Sequence, residues 1–332
     1  MKNEVTANSF TNCFRSTFKR MSERVGCHLI SLAFTFGALH AATFYVTIAG
    51  LGGEPEYEQR FTTQAQEIDK LIRASSTDAK IQTLFGKQAT KAQLQSVLSG
   101  IAREAKSGDT LVLMIIGHGS FDGFDYKVNL PGPDISAVEL AALLDRIPTS
   151  RQLVVNMTSA SGGSRAALEK PSRAVITATK SGSEKNATVF ARYWVEALRD
   201  SSADTDKNES ISALEALLYA EQKTSQFFES QKRIATEHPT LVDSGQGDGT
   251  RKPSPENGEG LVASQITILR LGAAQAAANT PEKKALLARR EQLEQDIDKL
   301  KYQKAAIPID VYKQQLQALL LELAKTQADL DK

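Results

Sequence analysis

Apolar residues in the first two thirds of the chain alternate between two periods. Some segments are β-branched or continuously apolar, which is typical of strands buried on both faces. Others place apolar side chains three or four positions apart, which predicts amphipathic helices. The predicted strands are residues 43–49, 110–116, 152–157 and 174–178, and the predicted helices are residues 61–74, 93–105, 138–144, 188–199 and 214–222. This alternation predicts an α/β fold over residues 43–243, with a mainly parallel sheet between helices.

The last third of the chain has a different pattern. Residues 244–260 are rich in Gly, Pro, Ser and charge without apolar periodicity, which predicts a flexible linker. Residues 261–279 then hold a final strand and a connector. Thr280-Pro281 begins a module with two runs of heptad-spaced apolar residues, interrupted near Pro308. Residues 280–332 are therefore predicted to form a coiled-coil-like helical hairpin.

The hairpin is too short to be stable alone, because each of its helices has only about three heptads. We expect one seam to pair Leu286, Leu293, Ile297 and Leu300 with Leu316, Leu319, Leu323 and Leu330. Leu320 and Leu321 lie off this seam and leave a second apolar surface. That surface packs on the core domain or, as we expect, on a second copy of the chain in a homo-oligomer.

The N-terminus has the pattern of a secretory signal. Lys19, Arg20 and Arg24 precede an apolar run at residues 27–42 that ends in small residues. The run is shorter than the roughly 20 residues that a membrane span requires. We therefore predict a signal peptide at residues 1–42, export to the periplasm or the extracellular space, and no stable span after its removal. An uncleaved anchor or a buried segment is the alternative.

Composition and charge limit the classes of function that the chain can have. The chain has 332 residues, 41% hydrophobic and 24% charged, with a formal net charge of +1. This composition is typical of a soluble globular protein, and the charge gives no reason to expect nucleic acid as a partner. Cys13 and Cys27 both lie within the predicted signal. The mature chain would then lack a thiol nucleophile, a disulfide and a thiolate metal site. A zinc site is not expected either, because only two histidines, His118 and His238, would remain as zinc ligands beside no cysteine.

Two predicted strands end in loops whose residues could form an active site. Gly117-His118-Gly119-Ser120 follows the strand at residues 110–116, and a small-residue loop around Ser159 follows the strand at residues 152–157. Ligands bind beyond the carboxyl ends of the strands in an open α/β sheet, so both loops belong to the candidate active edge. Small residues are also common in plain turns between a strand and a helix, and a lone histidine is often structural.

These two loops, in this order, resemble the caspase/legumain family of cysteine peptidases. The resemblance implies that His118 matches the catalytic histidine and that Ser159 stands where the family has its nucleophilic cysteine. It also implies an oxyanion hole formed by the backbone amides of Gly119 and Ser159. A serine hydroxyl, unlike a thiol, needs a well-oriented general base. We therefore expect a non-catalytic homologue that binds peptides or proteins; the alternative is an active serine-type peptidase or esterase.

A third motif has the spacing of an EF-hand calcium loop. Oxygen-bearing side chains occupy loop positions one, three, five, seven, nine and twelve: Asp204, Asp206, Asn208, Ser210, Ser212 and Glu215. Calcium is the cofactor that this spacing allows. Position six is Glu209 instead of the glycine that usually permits the sharp turn. The alternative interpretation is a capping box, in which Ser212 and Glu215 begin a helix.

Overall fold

The computed structural model describes residues 41–332 except residues 77, 246 and 279. Cys13, Cys27 and almost all of the predicted signal peptide lie outside the described residues. The strands are β1 (Thr43–Ala49), β2 (Lys80–Leu84), β3 (Thr110–Ile116), β4 (Gly119–Phe121), β5 (Tyr126–Val128), β6 (Ile135–Ser136), β7 (Arg151–Asn156), β8 (Arg173–Thr177), β9 (Ser210–Ser212), β10 (Thr240–Val242) and β11 (Thr267–Arg270).

The helices alternate with these strands and then continue alone to the C-terminus. They are α1 (Pro55–Ser75), α2 (Lys91–Glu104), α3 (Ala137–Leu144), α4 (Arg165–Leu168), α5 (Phe190–Ala197), α6 (Ala213–Ser230), α7 (Leu261–Ser264), α8 (Gly272–Ala277), α9 (Pro281–Tyr302) and α10 (Ile309–Leu330). None of the helices in the described part of the chain is both long enough and apolar enough to cross a membrane.

A six-stranded sheet forms the centre of the α/β domain. Its strand order is β10-β8-β7-β3-β1-β2. The strands from β8 to β2 run parallel, and β10 pairs antiparallel with β8 at the edge. Strand β3 lies in the middle, with Thr110 opposite both Thr43 of β1 and Arg151 of β7. The predicted α/β class with a mainly parallel sheet is confirmed.

The continuous apolar sequence of β3 follows from burial on both faces. Leu111, Leu113 and Ile115 face a layer built from α2, α3 and α4. The side chains between them, Val112 and Met114, face a layer built from α1, α5 and α6. Full burial of each such side chain stabilises the fold by roughly 1.5–3 kcal/mol. The sheet is thereby fixed between two helical layers, and its carboxyl edge is a defined surface.

Residues 261–271 contain a helical turn and a strand. They form the helical turn α7 and then β11, which pairs antiparallel with β9 in a separate two-stranded sheet. Residues 244–260 are tied to the core at several points. Thr250 and Leu241 exchange backbone hydrogen bonds of 2.9 Å, and the buried carboxylate of Asp243 accepts from the amides of Gly260, Val262 and Ala263 at 2.8–2.9 Å. The division into core, linker and hairpin stays a prediction.

Helices α9 and α10 form an antiparallel hairpin. Lys283 near the start of α9 donates to the carbonyl of Leu330, and Arg289 pairs with Glu322. The predicted seam of α9 is buried at Leu293, Ile297 and Leu300. In α10 Leu330 is buried, whereas the side chains of Leu316, Leu319 and Leu323 are only half-buried, and Leu320 and Leu321 are 48% and 56% exposed.

Candidate functional site

His118 lies at the carboxyl end of β3, against the first turns of α1. Its ring makes edge-on contacts with the rings of Tyr57 and Phe61, at centroid distances of 4.8 Å and 5.1 Å. The side chain is half-buried. Helix α1 reaches this position because it follows β1 directly and packs across the neighbouring β3. The ring is therefore held in place by aromatic packing from α1.

The pKa of His118 is lowered from its usual value. Burial is the largest cause, and the positive charge of Arg60 acts in the same direction. A hydrogen bond with the backbone of Gly52 and the charge of Glu54 oppose this shift. An imidazole whose pKa lies below its ordinary value of about 6.5 is neutral at pH 7. His118 is thus present in the form that can accept a proton.

Ser159 lies in the loop that follows β7 and is 3% exposed. Its hydroxyl accepts a hydrogen bond from the amide of Gly119 at 3.1 Å and donates one to the carbonyl of Gly119 at 3.1 Å. The structure therefore brings His118, Gly119 and Ser159 to the same edge of the sheet. Among the described residues, however, the hydroxyl of Ser159 pairs with the backbone of Gly119 and not with the ring of His118. The Gly119 amide, expected in an oxyanion hole, donates to the Ser159 hydroxyl.

A buried polar network supports the loop that carries Ser159. The hydroxyl of Tyr126 contacts both Asn156 and Thr158, and Thr158 Oγ1 donates to Asn156 Oδ1 at 2.8 Å. Asn156 Nδ2 in turn donates to Ser164 Oγ at 3.0 Å. Burial raises the pKa of Tyr126 to about 12, so its hydroxyl stays protonated. Sequence analysis missed this network, although an asparagine at the end of an apolar strand is a signal that could have indicated it.

A second group that sequence analysis missed is Glu237, which is 3% exposed. Its carboxylate accepts from the amides of Val189 at 2.8 Å and Phe190 at 3.4 Å, at the start of α5. Burial raises the pKa of Glu237 to about 7, against the effect of these two hydrogen bonds and of Arg60. The next residue, His238, contacts the carboxylate of Glu184.

Glu237 predicts a pH dependence of stability. Its pKa rises from 4.5 in the unfolded chain to about 7 in the folded protein, so the folded state holds a proton that the unfolded state has lost between these values. The group's contribution to stability is full below pH 4.5 and falls as the pH rises towards 7. In Glu237→Gln we expect this fall, about 2–3 kcal/mol, to disappear. Urea denaturation of both proteins at pH 4.5, 6 and 8 measures it; parallel pH profiles would contradict it.

The calcium-like loop brings three carboxylates together. Ligand oxygens of Asp204, Asp206 and Glu215 all lie within 4.8 Å of one another. Glu209, at position six, adopts the left-handed backbone conformation with φ of 59°, so the chain makes the turn for which glycine is usual. The capping box is also present, since Glu215 accepts from the Ser212 amide at 3.0 Å. The calcium and capping interpretations are therefore compatible in one structure.

Comparisons with known proteins give similarity of fold only. No family model matches the sequence, and no curated protein matches it. Among solved structures, protein GSU0716 from Geobacter sulfurreducens is 14% identical with a TM-score of 0.43, over 70% of this chain and 99% of that one.

Two further neighbours are caspases. Caspase-1 from Spodoptera frugiperda is 13% identical with a TM-score of 0.39, over 61% of this chain and 86% of that one. The Drosophila initiator caspase Dronc is 13% identical with a TM-score of 0.38, over 62% of this chain and 80% of that one. These similarities concern the arrangement of strands and helices.

Proposed function

We propose that this protein is an exported, non-catalytic peptidase homologue that binds a peptide or protein segment at the carboxyl edge of its sheet. The observation that carries the proposal is the pair of hydrogen bonds between the Ser159 hydroxyl and the backbone of Gly119. A serine becomes nucleophilic when a positioned base takes its proton. Here the hydroxyl directs its proton to a carbonyl oxygen, which is not a base.

Two exposed apolar side chains support binding at this edge. Phe124, in the turn between β4 and β5, is 94% exposed, and Leu51, in the loop after β1, is 43% exposed. The two side chains flank β5 at its opposite ends: Phe124 lies in the turn before it, and the amide of Leu51 donates to Asn129 O, one residue after it. Exposed large apolar side chains are features of binding surfaces, and an aromatic side chain contributes most to such contacts.

The second candidate is an active serine-type peptidase or esterase. The neutral form of His118 favours it, because a neutral imidazole at the neighbouring strand end is the base such an enzyme requires. Activity would need the Ser159 side chain to rotate away from Gly119 and lose both hydrogen bonds. The two candidates therefore differ in whether Ser159 reacts.

A fluorophosphonate probe separates them. We expect the wild-type protein to be labelled no more than Ser159→Ala, because no base from the described part of the chain lies within hydrogen-bonding distance of the hydroxyl. Ser120→Ala is the matched control, since Ser120 is an exposed serine next to Gly119. Labelling that is lost in Ser159→Ala and His118→Ala but kept in Ser120→Ala would establish the enzyme instead.

Binding is measured on an immobilised array of random heptapeptides. We expect Phe124→Ala to weaken the signal at least about tenfold, the loss of one aromatic anchor. Ile309, at the start of α10 in the C-terminal hairpin, is 54% exposed and provides the control variant Ile309→Ala, which should bind as the wild type does. A wild-type protein that binds no peptide, or that binds equally after both changes, would refute binding at this edge.

A further inference from the structure

The calcium-like loop lies outside the proposed binding edge and has a geometry of its own. Asp204 and Glu215 are buried, whereas Asp206 is exposed and leaves the cluster open to solvent. Each oxygen of Asp204 accepts one amide, from Asn208 and from Glu209, at 3.1 Å. A carboxylate oxygen has two lone pairs, so each of these oxygens can still contact a ligand.

Ser210 gives an independent observation. The residue is 3% exposed, and its hydroxyl has no hydrogen-bond partner among the described residues. Such a buried, unpaired hydroxyl costs free energy unless a ligand or water satisfies it. Ser210 is strand-paired with Arg270, and Arg270 Nε donates to Glu291 of α9 at 2.9 Å. Because paired residues share a face of a sheet, Ser210 lies on the face of β9 from which Arg270 reaches α9.

The calcium-like loop also contacts helix α9 through Asn208. Asn208 Nδ2 donates both to Asp206 Oδ2 at 3.1 Å and to Glu294 Oε2 of α9 at 3.2 Å. Along β9 the neighbouring Ile211 enters the core, while Ser212, on the same face as Ser210, donates its hydroxyl to Glu215 at 2.9 Å. The unpaired hydroxyl of Ser210 thus lies on the same face of β9 as Ser212, which contacts the position where the three carboxylates converge.

We propose that this position binds a calcium ion, held by the carboxylates of Asp204, Asp206 and Glu215 and by the hydroxyl of Ser210. All these ligands are oxygens, and calcium accepts six to eight of them in flexible geometry. Glu215 already accepts hydrogen bonds from the hydroxyls of Thr205 and Ser212. The Ser212 hydroxyl can rotate, which frees a lone pair on Oε2 for the ion, whereas Oε1 also accepts from the Thr205 amide at 2.8 Å.

The ion would also fix helix α9 to the core. Arg290 Nη2 donates to the carbonyl of Asn208 at 2.6 Å, and Glu294 accepts from the Asn208 side chain. Lys207 and Arg290 are the cations facing this loop, and Lys207 Nζ donates to the backbone carbonyl of Asp204. A calcium ion bound by Asp204 and Ser210 would fix the position of Asn208, which lies between them in sequence and which α9 contacts. This inference does not depend on whether Ser159 is catalytic.

The test uses the full-length protein after treatment with a chelator. Isothermal titration with CaCl₂ should show one site, and calcium at a hundredfold excess over its dissociation constant should raise the melting temperature by about 5 °C. Asp206→Asn should weaken binding at least tenfold while keeping the size of the side chain. Asp248→Asn is the control, because that carboxylate is fully exposed and far along the chain from the loop. Glu215 is not substituted, since it also caps α6.

A second measurement reports the docking of α9. Calcium should slow tryptic cleavage within α9 at least about fivefold in the wild type and not in Asp206→Asn, because ligand binding suppresses local opening. The proposal is overturned if no heat and no change in melting temperature accompany calcium. It is also overturned if Asp206→Asn binds calcium as tightly as the wild type, or if magnesium binds and calcium does not.

Discussion

Replacing Arg173 with methionine should destabilise the protein by about 2–6 kcal/mol, the cost of leaving two buried acceptors without a donor. Arg173 is 1% exposed, and its guanidinium makes three hydrogen bonds of 2.7–2.8 Å. They reach the side chain of Gln152, the carbonyl of Leu168 and the carboxylate of Asp145. Methionine fills much of the same volume but leaves the acceptors of Gln152 and Leu168 buried without a donor. Each such acceptor costs about 1–3 kcal/mol.

Lys170→Met is the matched control for this prediction. Lys170 pairs with the same carboxylate of Asp145 at 3.1 Å, but the side chains of Lys170 and Asp145 are 47% and 51% exposed. An exposed ion pair contributes about 0–1 kcal/mol, so the control should unfold at nearly the wild-type urea concentration. Equal destabilisation by the two substitutions would show that the charge of Asp145, and not the burial of Arg173, decides the outcome.

Gly119→Ala should cost about 3 kcal/mol and disturb the site directly. A β-carbon at Gly119 would lie 2.5 Å from the carbonyl oxygen of Ser159, 2.6 Å from the hydroxyl of Tyr126 and 2.7 Å from Thr158 Oγ1. No real β-carbon approaches other atoms so closely, so β4 must move away from the Ser159 loop. Forced overpacking of this kind costs about 1–3 kcal/mol, and the backbone contact places Gly119 at the upper end.

The control for Gly119→Ala is the same substitution at Gly100. Gly100 lies inside α2, and a β-carbon there has no atom within 4 Å. Alanine in the interior of a helix is favoured over glycine by about 0.5–1 kcal/mol, so Gly100→Ala should raise stability. Chemical denaturation of both variants gives opposite signs if the argument holds. A Gly119→Ala protein as stable as the wild type would mean that β4 is not held against Ser159.

Much of the fold could be predicted because burial leaves a direct trace in the sequence. Strand β3 matches its predicted range, since every residue from Leu111 to Ile116 is buried between two layers of helices. Strand β2 was missed, because it is an edge strand whose residues before Leu84 remain partly exposed and therefore include Lys80 and Gln82. Strand β10 has only three residues, too few for any period to be visible.

The placement of the two loops could be predicted, whereas the hydrogen bonds of Ser159 could not. Parallel strands end at one edge, which is why the loops of His118 and Ser159 lie at the same edge of the sheet. Which atom the Ser159 hydroxyl contacts depends on how β4 turns after Gly119, and no local pattern encodes that turn. The packing of Tyr57 and Phe61 on His118 depends on how α1 crosses β3, which is a tertiary property. The loop spacing placed Glu209 at the turn position, but a glutamate rarely adopts the left-handed backbone conformation that it has there.

The buried carboxylate of Asp243 indicates where another domain could be inserted into the chain. It binds the amides of Gly260, Val262 and Ala263, so the stretch between positions 243 and 260 is closed at its base by hydrogen bonds. Lengthening such a closed stretch adds mainly loop-closure entropy, about 0.6 kcal/mol for each doubling of its length. A fluorescent domain or an affinity tag inserted after Asp248, whose side chain is fully exposed, would leave the hydrogen bonds of Asp243 intact. These hydrogen bonds make the stretch a suitable insertion site for a fusion partner.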